Sequence, residues 1–404
     1  MTAAEHTPRR EALIVFLVAG EESGDQLGAA LMRAIKQKAE GRVRFCGVGG
    51  DAMAREGLAS IFPLQDLSLM GLGAVLKVLP RVLLRMRQTV RAIDQAKPDV
   101  LVIIDSPDFT HWVAAAARRA DPQLPIVNYV SPSVWAWRSG RARRMRRYID
   151  HVLALLPFEP AAYERLAGPA CSYVGHPLQQ EIAALRSSRD GQGNGVTATA
   201  LAVLPGSRNQ EVRRLLPHFM ATARRLRAEI PDLQIVIPTL PHLADAVLEI
   251  VARSDVTADV VVGADERRAT FRRARAALAA SGTVTLELAL AGVPMVVAYK
   301  VAGWEAAIAR RIIRVPTIVL ANLVLGENVV SQFVQEDCTA EKLARALMPL
   351  VHDTPQRARQ IEAFARLDHI MEIGTRSPSE RAAEIVLSLA RVRPMTTSVA
   401  PSRL

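Results

Sequence analysis

Short runs of branched apolar residues alternate along this chain with longer stretches whose apolar positions recur at helical spacing. Residues 13–18 have the continuous apolar character of a strand buried on both faces. Leu27, Leu31 and Ile35 then fall at i, i+4 and i+8, one face of a helix. Residues 100–104, 126–129 and 151–155 predict further strands with helical stretches between them. Near residue 200 the pattern restarts. Strands are expected at 200–204, 233–238, 260–262, 277–280 and 295–298, with a helix running to about Ile230. Strand–helix alternation predicts parallel sheets with crossover helices. Between the two series lies RSSRDGQGNGVT, residues 186–197, a polar Gly/Ser-rich linker. The pattern therefore predicts an α/β protein of two Rossmann-like domains, 1–190 and 191–404, with a ligand cleft between them. The last helix is a candidate to pack back on the first domain.

Length agrees with this division, since 404 residues exceed what one hydrophobic core usually supports. The formal charge of +11 favours a polyanionic partner: nucleic acid, an anionic membrane or a phosphorylated substrate. Cys46, Cys171 and Cys338 are too scattered for a disulfide framework or a paired metal site, which suits a reducing, cytoplasmic setting. Arg9-Arg10 before the apolar run at 12–20 resembles a signal peptide, but no small-residue cleavage pattern follows, and a buried first strand is the better reading. No stretch has the ~18 uncharged apolar residues of a spanning helix.

The segments that follow strands carry the candidate chemistry. AGEESGD at 19–25 crowds Glu21, Ser23 and Asp25 at a strand's carboxyl end, where ligands bind in doubly wound sheets; Ser23 or Asp25 is equally suited to be a plain helix N-cap. IIDSPDF at 103–109 ends another strand with two carboxylates. Asp105 suits a cap or turn, and Asp108, after Pro107, suits a general base that deprotonates an attacking hydroxyl. VLPGSR at 203–208 places Gly206, Ser207 and Arg208 at a helix start, a phosphate site unless Arg208 is merely solvated beside a cap. ASGTVTLE at 280–287 repeats the arrangement with Ser281, Gly282 and Thr283, and Glu287 lies one turn on, within reach of a ribose diol. Two phosphate-suited turns in one half point to a nucleoside diphosphate.

Two stretches concern surfaces. LMGLGAVLKVLPRVLLRMR, 69–87, is apolar but carries Lys77, Arg81, Arg85 and Arg87, and Pro80 interrupts it, leaving open two short helices or one; it suits either an anionic membrane or an ordinary core. SPSVWAW at 131–137 precedes six arginines between Arg138 and Arg147, a pattern suited to RNA or to a phosphorylated lipid or sugar. His176 has no companions at metal-ligand spacing and reads as a structural histidine.

Taken in order, these segments resemble the lipid-A-disaccharide synthases, a glycosyltransferase family of Gram-negative bacteria. The matching pieces are AGEESGD, GVGGDAM at 47–53, LMGLGAVL at 69–76, PDVLVIIDSPDF at 98–109, NYVSPSVWAWR at 128–138 and LPFE at 156–159. GHPL at 175–178, LPGSRNQEV at 204–212, ASGTVTLELAL at 280–290, PMVVAYKV at 294–301 and the segment at 322–326 complete the series. The resemblance implies a glycosyltransferase-B-like fold and an inverting transfer from UDP-2,3-diacylglucosamine to 2,3-diacylglucosamine 1-phosphate (lipid X). The products are a β-1′,6-linked disaccharide 1-phosphate and UDP. It implies no metal and no cofactor, UDP-sugar being a substrate, and peripheral work on the cytoplasmic face of the inner membrane, with a homodimer left open. By motif, Asp108 matches the base, Glu21 and Ser23 active-site positions, and Arg208 and Asn322 positions assigned to the diphosphate. Ser281, Thr283 and Glu287 match the nucleotide-binding stretch. Glu22 and Ser331 depart from the pattern, where relatives often have a small residue and proline. A UDP-sugar 2-epimerase and a cell-wall glycosyltransferase share the implied fold and are the rival enzymes; an RNA-binding module is the remoter rival.

Overall fold

A computed structural model describes residues 12–67, 75–186, 200–303, 306, 316–372 and 376–390. The chain divides into two compact units. One runs to His176 and takes back the helix Pro378–Leu389; the other begins at Pro177. The division thus comes ahead of the expected linker. Arg186 already belongs to the second unit, where its guanidinium binds Asp368 at 2.6 and 2.8 Å and the Leu290 carbonyl at 2.6 Å. Residues 187–197 of that linker lie outside the described residues.

The first unit is a six-stranded sheet in the order β2-β1-β3-β4-β5-β6, every pair parallel. Its strands are β1 (Leu13–Ala19), β2 (Val43–Val48), β3 (Val100–Ile104), β4 (Ile126–Tyr129), β5 (His151–Ala154) and β6 (Ala170–Tyr173). Its helices are α1 (Glu22–Lys38), α2 (Asp51–Arg55), α3 (Val75–Ala96), α4 (Pro107–Ala120), α5 (Gly140–Met145) and α6 (Glu159–Arg165). Of the two arrangements left open around Pro80, the structure has the single helix: α3 runs through it with Pro80 inside. β3 is fully buried because helices cover both faces, which is why it reads as VLVII without alternation. Each such side chain taken from water contributes about 1.5–3 kcal/mol. Ala382, Ala383 and Val386 of the last helix enter the same core as Leu31 and Ile35 of α1, and Lys38 binds Glu384 at 2.8 Å.

The second unit repeats the plan as β12-β11-β10-β7-β8-β9, again all parallel. Its strands are β7 (Ala200–Leu204), β8 (Gln234–Thr239), β9 (Asp259–Val262), β10 (Ala274–Ala280), β11 (Met295–Tyr299) and β12 (Gln332–Val334). Among its helices are α7 (Ile182–Arg186), α8 (Asn209–Glu229), α9 (Ala244–Ala252), α10 (Ala264–Arg273) and α11 (Val284–Leu290). Ser331 precedes β12, and its carbonyl accepts from the Val297 N–H. Proline would offer the same carbonyl, so this departure leaves the ladder intact.

Candidate active site

In each sheet, successive strands are laid down in one direction and then in the other, and ligands bind where the direction reverses. In the first unit that point lies between β1 and β3. Gly20 follows β1, and a Cβ there would come within 2.2 Å of the Ser106 Cβ, so only glycine lets the two strand-end loops touch. Asp105 and Ser106 both take left-handed backbone, with φ of 53° and 43°, a conformation costing roughly 1–3 kcal/mol per residue. Side chains hold it. Asp105 accepts from the Ser106 N–H at 2.7 Å and from Ser23 Oγ at 3.1 Å, while Thr110 Oγ1 donates to the Asp105 carbonyl at 2.7 Å.

Asp108 stands in the first turn of α4, behind Pro107, with its side chain 88 % exposed. Its contact is Arg141, which donates to Asp108 Oδ1 at 3.3 Å and to the Pro107 carbonyl at 3.0 Å. Asp105 is therefore tied to both its neighbours, whereas Asp108 is open to solvent. Glu21 occupies the N-cap position of α1 and is exposed. Neither Ser23 nor Asp25 caps α1. Asp25 is buried and accepts three N–H groups, from Gly50, Ala52 and Met53 at 2.7–3.0 Å, fixing the start of α2. Its role is structural, and it welds AGEESGD to GVGGDAM.

In the second unit the reversal lies between β7 and β10. A cavity of about 620 Å³ opens there, of a size that suits a nucleotide. Gly206, Ser207, Arg208, Ser281, Gly282, Thr283 and Glu287 all line it, so the two turns face one cavity. Ser281 Oγ donates to the Ile318 carbonyl at 2.7 Å, which spends its proton inside the fold. Two lining residues escaped the sequence reading. Arg267, on α10, sits 3.2 Å from Glu287; in sequence it hides within a charged run that reads as a solvated face. Burial holds the Glu287 carboxyl above the usual range, with Arg267 opposing. Glu211 accepts from the Ser207 and Arg208 N–H groups at 3.1 and 3.3 Å and from the Arg208 guanidinium at 3.1 Å. Gly206 has φ of 123°, and a Cβ there would meet Glu211 Oε2 at 2.5 Å. A carboxylate thus occupies the cradle in which a phosphate was expected. Its spacing from Arg208 is that of a capping box, but with arginine at the N-cap the sequence signature is missing.

The model of the lipid-A-disaccharide synthetase family matches residues 15–386 of this chain. The chain belongs to the lipid-A-disaccharide synthetase family. The family's synthase from Nitrobacter winogradskyi is 57 % identical over 378 residues, 93 % of this chain and 96 % of that one. The synthase from Rhodopseudomonas palustris strain HaA2 is 56 % identical at the same coverage. Among solved structures, the fold is shared with Methanocaldococcus jannaschii UDP-GlcNAc 2-epimerase, at TM-score 0.58, 14 % identity and 93 % and 100 % coverage of the two chains. It is shared also with Acinetobacter baumannii MurG, at TM-score 0.55, 14 % identity and 93 % and 99 % coverage.

Several of the family's motif residues hold the scaffold. Asn322 is 2 % exposed and does not line the cavity; its amide donates to Thr317 Oγ1 and the Val330 carbonyl and accepts from the Val329 and Val330 N–H groups. With two donors and two lone pairs engaged here, the amide braces its own loop. His176 is pushed down to about 4 by burial and stays neutral. Glu159 of LPFE is buried and accepts from Trp135 Nε1 and the Leu156 N–H, both at 3.0 Å, clamping the SPSVWAW loop.

Burial pushes the Glu159 carboxyl up to about 7, against the pull of its hydrogen bonds. The folded protein therefore keeps a proton that the unfolded chain releases near 4.5. This contribution to stability is fully present below 4.5 and is lost as pH rises through about 7, by up to about 3 kcal/mol. His111, pushed down to about 3 by burial and by Arg141, opposes it, since its contribution is lost as pH falls from the ordinary histidine range. Melting temperatures of wild type and Glu159→Gln from pH 5 to 8 separate the two. The difference between the proteins should change as pH rises from 5 to about 7 and level off above that, and parallel curves would exclude a proton on Glu159.

Proposed function

We propose that this chain transfers diacylglucosamine from UDP to the 6-hydroxyl of lipid X, giving the β-1′,6-linked disaccharide 1-phosphate and UDP. Two observations carry it: the first unit has an exposed carboxylate at its switch point, and the second unit has a nucleotide-sized, Arg-lined cavity at its own. Asp108 takes the proton of the acceptor hydroxyl as its oxygen bonds to the donor's anomeric carbon. The bond from that carbon to the diphosphate breaks, and its electron pair leaves with UDP. Arg208, Arg267 and the Ser207 and Gly282 amides stabilise the departing charge. Glu287 meets the ribose diol, and Leu204, Pro238 and Leu240 offer the uracil an apolar wall. Release of UDP that depends strictly on lipid X tests this. UDP release without acceptor, or epimerised UDP-sugar, would favour the epimerase reading instead.

We also propose that α3 meets an anionic membrane. Leu83 and Leu84 are 41 % and 52 % exposed, and Arg81 and Arg87 beside them are exposed cations. Arg85 is withdrawn from the headgroup set, because it binds Asp66 and stacks on Phe62 at 4.9 Å. Residues 69–74 and the side chains of 75–79 lie outside the described residues. No helix among the described residues is long and apolar enough to cross a membrane. Replacing Leu83 and Leu84 together with serine should weaken sedimentation with anionic vesicles several-fold and leave the melting temperature unchanged. Unaltered vesicle binding would remove α3 from the membrane face.

A further inference from the structure

The arginine run after SPSVWAW builds a second pocket, in the first unit and next to the proposed base. It has a volume of about 570 Å³ and is lined by Arg118, Arg119, Arg138, Arg141, Arg144 and Arg147, with Trp112 and Tyr148. Among the described residues, two of the six meet a carboxylate: Arg118 binds Asp150 at 2.5 Å and Arg141 binds Asp108. Arg119 Nε donates to the Ala115 carbonyl, and Arg138 lies over the Trp137 ring at 4.4 Å. No acidic partner of Arg119, Arg138, Arg144 or Arg147 stands within ion-pair distance among the described residues. Guanidinium groups gathered around one concavity repel one another, and the arrangement is stabilised once an anion with several oxygens enters.

Position narrows the anion. Pro107 and Arg141 line the pocket, and Arg141 also holds Asp108, so one side chain joins pocket and base. A glucosamine 1-phosphate carries its phosphate on one side of the sugar ring and its 6-hydroxyl on the other. Trp112 and Trp137, 62 % and 41 % exposed, give apolar surface with a polar edge, suited to the stems of acyl chains. We infer that this pocket receives the phosphomonoester of the acceptor and thereby sets the 6-hydroxyl against Asp108. The inference rests on the transfer reaction proposed above and adds the phosphate subsite of its acceptor.

The test compares lipid X with 2,3-diacylglucosamine lacking the phosphate, in neutral detergent micelles, for wild type and Arg144→Ala/Arg147→Ala. Wild type should prefer the phosphorylated acceptor. The double variant should lose about 10- to 100-fold in kcat/KM on lipid X, mainly through KM, and almost nothing on the dephosphorylated acceptor. UDP affinity and melting temperature should hold, and Arg144→Lys/Arg147→Lys should recover part of the loss. Equal losses on both acceptors, or no loss, would overturn the assignment. A loss confined to anionic vesicles, with discrimination in micelles intact, would also overturn it and assign the arginines to lipid headgroups. If wild type uses neither acceptor, the transfer reaction fails first and the subsite falls with it.

Discussion

Asp108→Asn is expected to cut turnover roughly 10²–10⁴-fold, the usual scale for loss of a general base. Asparagine keeps the size and one acceptor for Arg141 but cannot take a proton. UDP affinity should be nearly unchanged, because the nucleotide cavity belongs to the other unit. Asp105→Asn is the control. Its carboxylate is spent on the Ser106 N–H and Ser23, and asparagine tolerates the left-handed backbone there, so a smaller loss is expected. A folded Asp108 variant retaining more than about a tenth of wild-type turnover would place the base elsewhere, with Asp105 and Glu21 next to be tried.

Arg208→Ala should weaken UDP binding by about 1.5–3 kcal/mol, the range for hydrogen bonds to charged groups. Arg208 is 79 % exposed in its pair with Glu211, and exposed pairs are worth little, so exchanging Glu211 for a phosphate costs little on the arginine side. Arg208→Lys should recover only part of the affinity, since the planar fork is lost. Glu211 must yield the cradle, which gives the opposite sign at the neighbouring position. Glu211→Gln retains a capping acceptor and removes the negative charge, and should tighten UDP several-fold. Calorimetric titration of the three variants checks both directions. Unchanged affinity for Arg208→Ala would take Arg208 out of the site.

Interior strands were legible because burial on both faces leaves continuous apolar runs, as in β1, β3 and β7. The strands missed were β2, β6 and β12, all at sheet edges, where one flank is open and ACSY or QFV shows no such run. The switch-point turns were legible because strand, glycine and charged residue are local in sequence. The roles of Asp25 and Asn322 were not, since their polarity is visible but their partners are not. Asp25 answers N–H groups 25 to 28 residues away, and Asn322 closes a loop on Val329 and Val330. Arg267 was hidden for the same reason: its partner Glu287 lies beyond a strand.

The most direct measurement is the identity of the product when purified protein is given UDP-2,3-diacylglucosamine and lipid X. Mass spectrometry and the anomeric proton coupling should show one β-1′,6-linked disaccharide 1-phosphate for each UDP released, and none with Asp108→Asn at matched times. UDP-sugar altered without transfer, an α-linked product, or UDP formed in the absence of lipid X would contradict the account.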